Sequence, residues 1–299
     1  MHAIHPGATF QVASQFNCLE FPSARVLPED GISNYQYDNT QGPACAMACG
    51  AGTVIRNYFV PIFRLNDGTL DTQSEGASPI QYGQSKNIQL NNLDSLEKIV
   101  QNEKHKYWYV QNGYTFSEGV TNIQKFSATL ATKSPSELDD LLGEIKVGLQ
   151  RNVGVTFASR YIPLTEEVRV TQVFCSALSC AYSGIPADNW APLAGLVLDA
   201  NYEATLLAAV LNAAEGRKRV EGEEKGNSCN ANEVYLTFIG GGVFGNRKEW
   251  IGRAIGRALS VVEKQTRGKL EEDLHVYICH YGRIDSEMQA IIQEAQQKF

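Results

Sequence analysis

An α/β fold, with helices on both faces of a mostly parallel sheet, is what this chain of 299 residues predicts. Strand-like apolar segments alternate with helix-period segments through much of the sequence, the pattern of βαβ units. An apolar run over 235–239 breaks into Gly240, Gly241 and Gly242, and a helix begins almost at once at Glu249 and Trp250. Neither an internal repeat nor a long linker divides the chain. One domain over 1–299, with an inserted hairpin region at about 65–130, is the expectation.

Residues 10–19 read as a strand that leads into a loop over 21–40 rich in Pro, Asp, Asn and Tyr. Thr40 is placed to cap the next helix, with Pro43 in its first turn. The body of that helix, 44–57, is built mostly of Ala, Cys and Gly, which lets it lie close to a sheet. The polar stretch 65–88 reads as a surface excursion and 90–101 as a helix. Tyr107, Trp108, Tyr109, Val110, Tyr114 and Phe116 flank Asn112 and Gly113, a hairpin signal. Ser134 and Glu137 form a capping box for a helix expected to run to Arg151, with a short strand over 153–158. Another strand spans 171–178, followed by a loop over 183–190. Leu193, Val197, Ala200, Ala204, Leu207 and Leu211 recur at three- and four-residue steps and predict the longest helix, 191–214. A polar loop over 217–232 precedes the glycine-run strand. A helix over 250–264, a strand over 274–280 and a helix over 286–298 close the chain.

Composition narrows the function. With 43% hydrophobic and 20% charged residues the chain reads as an ordinary globular protein. A net charge of −7 without a Lys/Arg stripe argues against a broad grip on nucleic acid, while a small anion held by backbone amides stays compatible. No apolar run is read as long enough to span a bilayer, so no membrane partner is expected. Seven cysteines, an odd number without C-x-x-C, speak against a disulfide framework and for a reduced, cytoplasmic setting. No His/Asp/Glu cluster has metal-ligand spacing, and neither a metal nor a cofactor is expected.

In open α/β sheets ligands collect outside the carboxyl ends of the strands. Three loops qualify: the one after 16–19, the one after 175–178, and Gly240 to Asn246. Three successive glycines let backbone N–H groups turn inward toward a ligand, and the helix start behind them adds partial positive charge. A phosphate or diphosphate suits that cradle; a tight turn that binds nothing is the alternative. The Lys–Ser/Thr pair of a P-loop is missing, and the late position fits a dinucleotide fingerprint poorly.

The series closing in strand, glycines, Val243–Phe244–Gly245, helix and strand resembles the macrodomain fold, a three-layer α/β/α module with a mixed sheet that binds ADP-ribose. Its late loop is similar to the diphosphate loop of the poly(ADP-ribose) glycohydrolases. The resemblance implies that Gly240, Gly241, Gly242, Val243, Phe244, Gly245 and Asn246 hold the diphosphate. Gln15–Phe16–Asn17 resembles the other family loop, where an asparagine orients the distal ribose; Thr40 and Gln41 open the helix where that family places its catalytic helix. The likeness covers roughly half the chain, 10–58 and 170–282. The glycohydrolases carry paired glutamates after a glutamine in the first loop, and here Gln41 is followed by Gly42 and Pro43, so that mechanism does not transfer. Asp38, the Thr40–Pro43 helix start and the run Asp199–Ala200–Asn201–Tyr202–Glu203 resemble instead a divergent branch that includes a bacterial effector. That branch removes ADP-ribose from arginine side chains using aspartates, which would set the protein in a host cytoplasm.

Chemistry at an anomeric carbon needs a carboxylate to activate water or hold the ribose, and often a second for the leaving group. Asp38 is read either as a turn residue or as a group facing the ribose. Asp188 is read as the cap of the long helix or as catalytic. Asp199 and Glu203 share a helix face, either solvated or turned to the ligand as an acid beside a base. Phe244 and Tyr281 could stack on a base or simply pack. The expectation is an ADP-ribose-binding hydrolase acting on ADP-ribosylated protein, arginine-linked by preference. A non-catalytic reader and another nucleotide- or sugar-phosphate-binding enzyme are the alternatives.

Overall fold

The computed structural model describes residues 1–158, 167–221, 230–266 and 274–299. In chain order it contains β1 (Thr9–Ser14), α1 (Gln41–Ala48), α2 (Gly50–Val54), β2 (Pro61–Arg64), β3 (Leu70–Asp71), β4 (Gln81–Tyr82) and α3 (Asp94–Ile99). There follow β5 (Tyr109–Gln111), β6 (Tyr114–Phe116), α4 (Val120–Ala131), α5 (Pro135–Gly143), β7 (Gly148–Gly154) and β8 (Arg169–Ser176). The last part holds α6 (Ala187–Glu221), β9 (Glu233–Leu236), α7 (Lys248–Gln265), β10 (His275–Ile278) and α8 (Ser286–Lys298).

Five strands form the main sheet in the order β10–β9–β1–β8–β7, all parallel except β7, which runs antiparallel to β8. Side chains alternate across it as strand geometry requires. Phe10 and Val12 of β1 and Val170 and Phe174 of β8 face the α1–α2 side with Cys45 and Cys49. Val173, Cys175, Val234 and Leu236 face α6 and α7, and Met288 and Ile292 of α8 close over α7. The three-layer α/β/α order with a mixed sheet, expected from the sequence, is what the chain adopts.

Residues 60–147 hold the hairpin region. Asn112 and Gly113 have φ of 48° and 78°, the pair of left-handed residues that joins β5 to β6 in a two-residue turn. Trp108, Ile123, Phe126 and Leu141 of this region pack on Trp190, Leu193 and Val197 of α6. Helix α6 is thus buried on two sides, by the sheet on one and by the inserted region on the other.

Several boundaries move. The helix expected to reach Arg151 ends at Gly143, and 148–154 is a strand. β7 is a sheet edge whose outer rim faces solvent, so its polar sequence lacks apolar alternation. Helix α6 starts at Ala187 rather than 191; Pro192 deprives only the exposed Asp188 carbonyl of a donor. The loop expected over 217–232 is helical to Glu221, and its 222–229 portion lies outside the described residues. One expectation is corrected outright: 187–216 is long and apolar enough to cross a membrane. Here it packs as a core helix, covered by the sheet on one side and by the inserted region on the other, with 61% of its most apolar window buried.

A Cβ on Gly113 would lie 2.5 Å from Gln15 Cβ and 2.7 Å from Asn17 Oδ1, at a φ that side chains rarely adopt. Gly113→Ala should therefore lower unfolding stability by about 1–3 kcal/mol in chemical denaturation. An unchanged midpoint would show that the hairpin does not press on the first loop.

Candidate active site

Strands β1 and β9 pair at Thr9 with Val234 and at Phe10 with Tyr235, then part, while β1 stays paired with β8 through Ser14. The main-chain groups freed by that parting still need partners. Thr237 N donates to Gln11 Oε1 (3.1 Å), and Gln11 Nε2 donates to Thr205 Oγ1 on α6 (2.9 Å). Ala13 N donates to Gln41 Oε1 (3.0 Å), and Gln41 Nε2 donates to Gln11 O (3.1 Å). Two glutamine side chains stand in for the missing strand. The gap they stabilise opens into a cavity of about 420 Å³ walled by Ala13, Gln41, Thr237 and the glycine loop.

Gly240 has φ of 72°, and a Cβ there would come within 2.4 Å of Ala177 Cβ, so the turn admits glycine alone. Asn246 clamps the loop: its backbone N donates to Gly240 O (2.9 Å) and its Nδ2 to Leu178 O (2.8 Å). Between these points the amides of Gly240, Gly242, Val243 and Phe244 donate to no acceptor among the described residues. All four residues line the cavity. The Phe244 ring is held 5.4 Å from Tyr114 and 5.9 Å from Tyr182. Helix α7 begins three residues after Gly245 without a side-chain cap, adding its positive end to the same wall.

The other charged groups at the cavity are Glu20, Asp38, Lys248 and Asp285. Glu20 is 3% exposed, and its Oε1 has no hydrogen-bond partner among the described residues. It lies against the first turn of α1, where a Cβ on Gly42 would fall 2.3 Å from Glu20 Oε2. Burial holds the Glu20 carboxyl well above the usual carboxylate range; Arg56 opposes that and Asp38 adds to it. Asp38 is half-buried, lines the cavity and accepts a hydrogen bond from Thr40 N at Oδ1 (2.9 Å), the bond of a turn residue. Lys248 Nζ donates to Asp285 (2.6 Å) and Glu287 (3.0 Å), which fixes an ammonium beside the glycine loop.

The structure brings together Gln15, Asp38, Thr40, Gln41 and Gly240 through Phe244. Other expected residues are placed elsewhere. Asn17 is fully buried; its Oδ1 accepts from Leu19 N and its Nδ2 donates to Gln89 Oε1, so it shapes the turn and does not reach the cavity. Phe16 is core. Gly245 and Asn246 support the loop from behind. The amides of Gln15 and Gln41 are engaged with Phe21 and with β1, so their role is scaffolding. Asp188 is exposed in the first turn of α6 and pairs with Arg247 (2.6 Å). Asp199 pairs with Arg253 (2.9 Å) and Glu203 with Arg257 (2.7 Å), both across the α6–α7 contact. The two like charges are tolerated because two arginines, also four apart, answer them. Glu20 was missed; an acid set between Leu19 and Phe21 in an apolar triplet was the signal.

No family model matches the chain, and no curated protein matches it. Among solved structures it is similar to the poly(ADP-ribose) glycohydrolase of Deinococcus radiodurans in complex with ADP-ribose. The identity there is 13% and the TM-score 0.31, over 51% of this chain and 52% of that one. The apo form of that protein gives 14%, 0.30, 51% and 53%. A mutant of the poly(ADP-ribose) glycohydrolase of Thermomonospora curvata gives 19%, 0.31, 50% and 48%. The chain spans about half the length of the structures it matches.

Two predictions follow from the placements. Glu203→Gln should lower stability by about 1–2 kcal/mol without altering ligand binding at the cavity, read by thermal denaturation and calorimetry. Glu20→Gln should do the reverse for stability. A carboxyl whose folded pKa is raised favours folding below the unfolded value of about 4.3 and loses that contribution as pH rises through the folded value. The melting temperature of Glu20→Gln should exceed the wild type's above that window and converge with it on acidification; the opposite slope would refute the burial argument.

Proposed function

We propose that the cavity binds ADP-ribose and that the protein is a hydrolase cleaving the bond between its distal ribose and a modified protein side chain. One observation carries this: four unpaired loop amides line the same cavity as a buried, orphaned carboxyl and a second, half-buried one. The amides of Gly240, Gly242, Val243 and Phe244 suit the diphosphate. The resemblance of this loop to the macrodomain diphosphate loop supports the choice of ADP-ribose among nucleoside diphosphates.

Glu20 and Asp38 divide the work by environment. Glu20, held protonated by burial, donates a proton to the leaving group as the anomeric bond breaks. Asp38, closer to solvent, accepts a proton from the water that forms the new C–O bond at that carbon. The products are ADP-ribose and the unmodified side chain. Arginine-linked ADP-ribose is the first substrate to try, on the likeness of Asp38 and Thr40–Pro43 to the arginine-acting branch.

Calorimetry with free ADP-ribose is the direct test; absence of heat at high micromolar ligand removes the proposal. A Cβ on Gly242 meets nothing within 4 Å, so Gly242→Glu should fold normally. Its carboxylate should cost at least about tenfold in affinity, or 1.4 kcal/mol. Glu20→Gln and Asp38→Asn should retain binding and lower turnover of arginine-, glutamate- or serine-linked substrates by roughly 10²–10⁴. Tight binding with release from none of the three substrates would make the protein a reader instead.

A further inference from the structure

Arg56 lies in the π-helical turn Ile55–Phe59 that continues α2. It is 5% exposed and, among the described residues, makes no ion pair within 4 Å. Its Nε donates to Cys18 O (3.0 Å), Nη1 to Gln150 Oε1 (2.5 Å) and Nη2 to Thr53 Oγ1 (3.3 Å). The guanidinium carbon sits 3.7 Å from the centre of the Phe174 ring. A full positive charge held only by neutral acceptors and a ring face is costly to bury without a counter-charge nearby.

The residue it grips explains the placement. Cys18 has φ of 61°, a left-handed conformation that a side chain adopts only when its surroundings impose it. That strained residue forms the turn between β1 and Glu20: Cys18 N donates to Gln15 O (2.8 Å) and Gln15 N to Leu19 O (3.0 Å). One residue, Leu19, separates Cys18 from Glu20, so their Cα atoms lie within about 7 Å. Glu20 is itself buried without an ion-pair partner among the described residues and has one orphaned oxygen. The buried, unpaired guanidinium and the buried, orphaned carboxyl of this region are therefore joined through the same turn.

We propose that Arg56 is a positioning residue for Glu20, locking the turn that aims its carboxyl and supplying the fixed positive charge of that turn. This rests on the reading of Glu20 as the acid of the site. The charged groups that bear on Glu20 are Arg56 from the π-helical turn and Asp38 from the segment before α1; Tyr35, Cys45, Tyr114 and Cys18 nearby are neutral, their hydroxyls and thiols pushed up by burial. Of these, Arg56 is the one that favours the ionised carboxylate; Asp38 opposes it, and burial opposes it most.

The test reads Glu20 directly and needs neither ligand nor turnover. Infrared difference spectra against Glu20→Gln isolate the protonated carboxyl band of Glu20 across pH. Arg56→Met should move the loss of that band upward by about one pH unit or more. Arg56→Lys should hold it nearer the wild-type position. If Arg56→Met does not fold, Gln150→Glu serves, because a carboxylate at the Nη1 contact neutralises the guanidinium in place and should produce the same upward movement. An unchanged band in the folded variant overturns the proposal, as does a Glu20 that stays protonated over the whole folded pH range of the wild type. Failure to bind ADP-ribose would remove the functional reading while leaving the infrared result intact.

Discussion

The parting of β1 from β9 after Phe10 is the constraint from which the site is built. A parallel pair that continued to Ser14 would close the sheet and leave no crevice. Because the strands separate, three main-chain groups lose their natural partners, and Gln11 and Gln41 supply replacements from side chains. Gln11 is anchored in turn to Thr205, and Gln41 is the first residue of α1. The crevice is therefore held open from both faces of the sheet, by α6 on one and α1 on the other. This also explains why Gln41 cannot serve a ribose: its amide is already the substitute for a strand.

The proposed anion site, on a chain of net charge −7, poses an electrostatic problem, since the cavity is lined by Glu20, Asp38 and Asp285 against one lysine. Lys248 is largely answered by Asp285 and Glu287. The positive potential has to come from dipoles. Four unpaired amides and the uncapped start of α7 provide it, fixed in place by the Asn246 clamp. Dipoles that are rigid before the ligand arrives need no reorganisation and, unlike a lysine, do not neutralise the neighbouring carboxyls that chemistry would use.

Most of the frame was legible in the sequence because local chemistry decided it. The Ser134–Glu137 capping box, the Asn112–Gly113 turn and the helix 286–298 are set by residues within a few positions of one another. The glycine loop was legible for the same reason. What escaped depended on distant surfaces. β7 reads as polar because it is an edge, and an edge is a property of the sheet. Asp199 and Glu203 look like a catalytic pair until Arg253 and Arg257 are set opposite them, a match of two four-residue spacings across two helices. Glu20 becomes a cavity residue only once Gly42 has brought α1 down on top of it.

The inserted region, which carries no group of the proposed chemistry, acquires a role from the same geometry. Phe16 N donates to Gly113 O, Asn92 N donates to Phe16 O, and Gln84 Nε2 donates to Asn17 O. With Arg56 on Cys18 O, four contacts from outside the sheet hold a five-residue turn that contains a left-handed cysteine. A conformation costing about 1–3 kcal/mol persists when its surroundings over-determine it. A turn this constrained can keep a carboxyl buried and oriented in the absence of ligand, which a solvated loop could not. The insertion is best understood as the clamp that lets β1 end in a strained turn and still present Glu20 to the cavity.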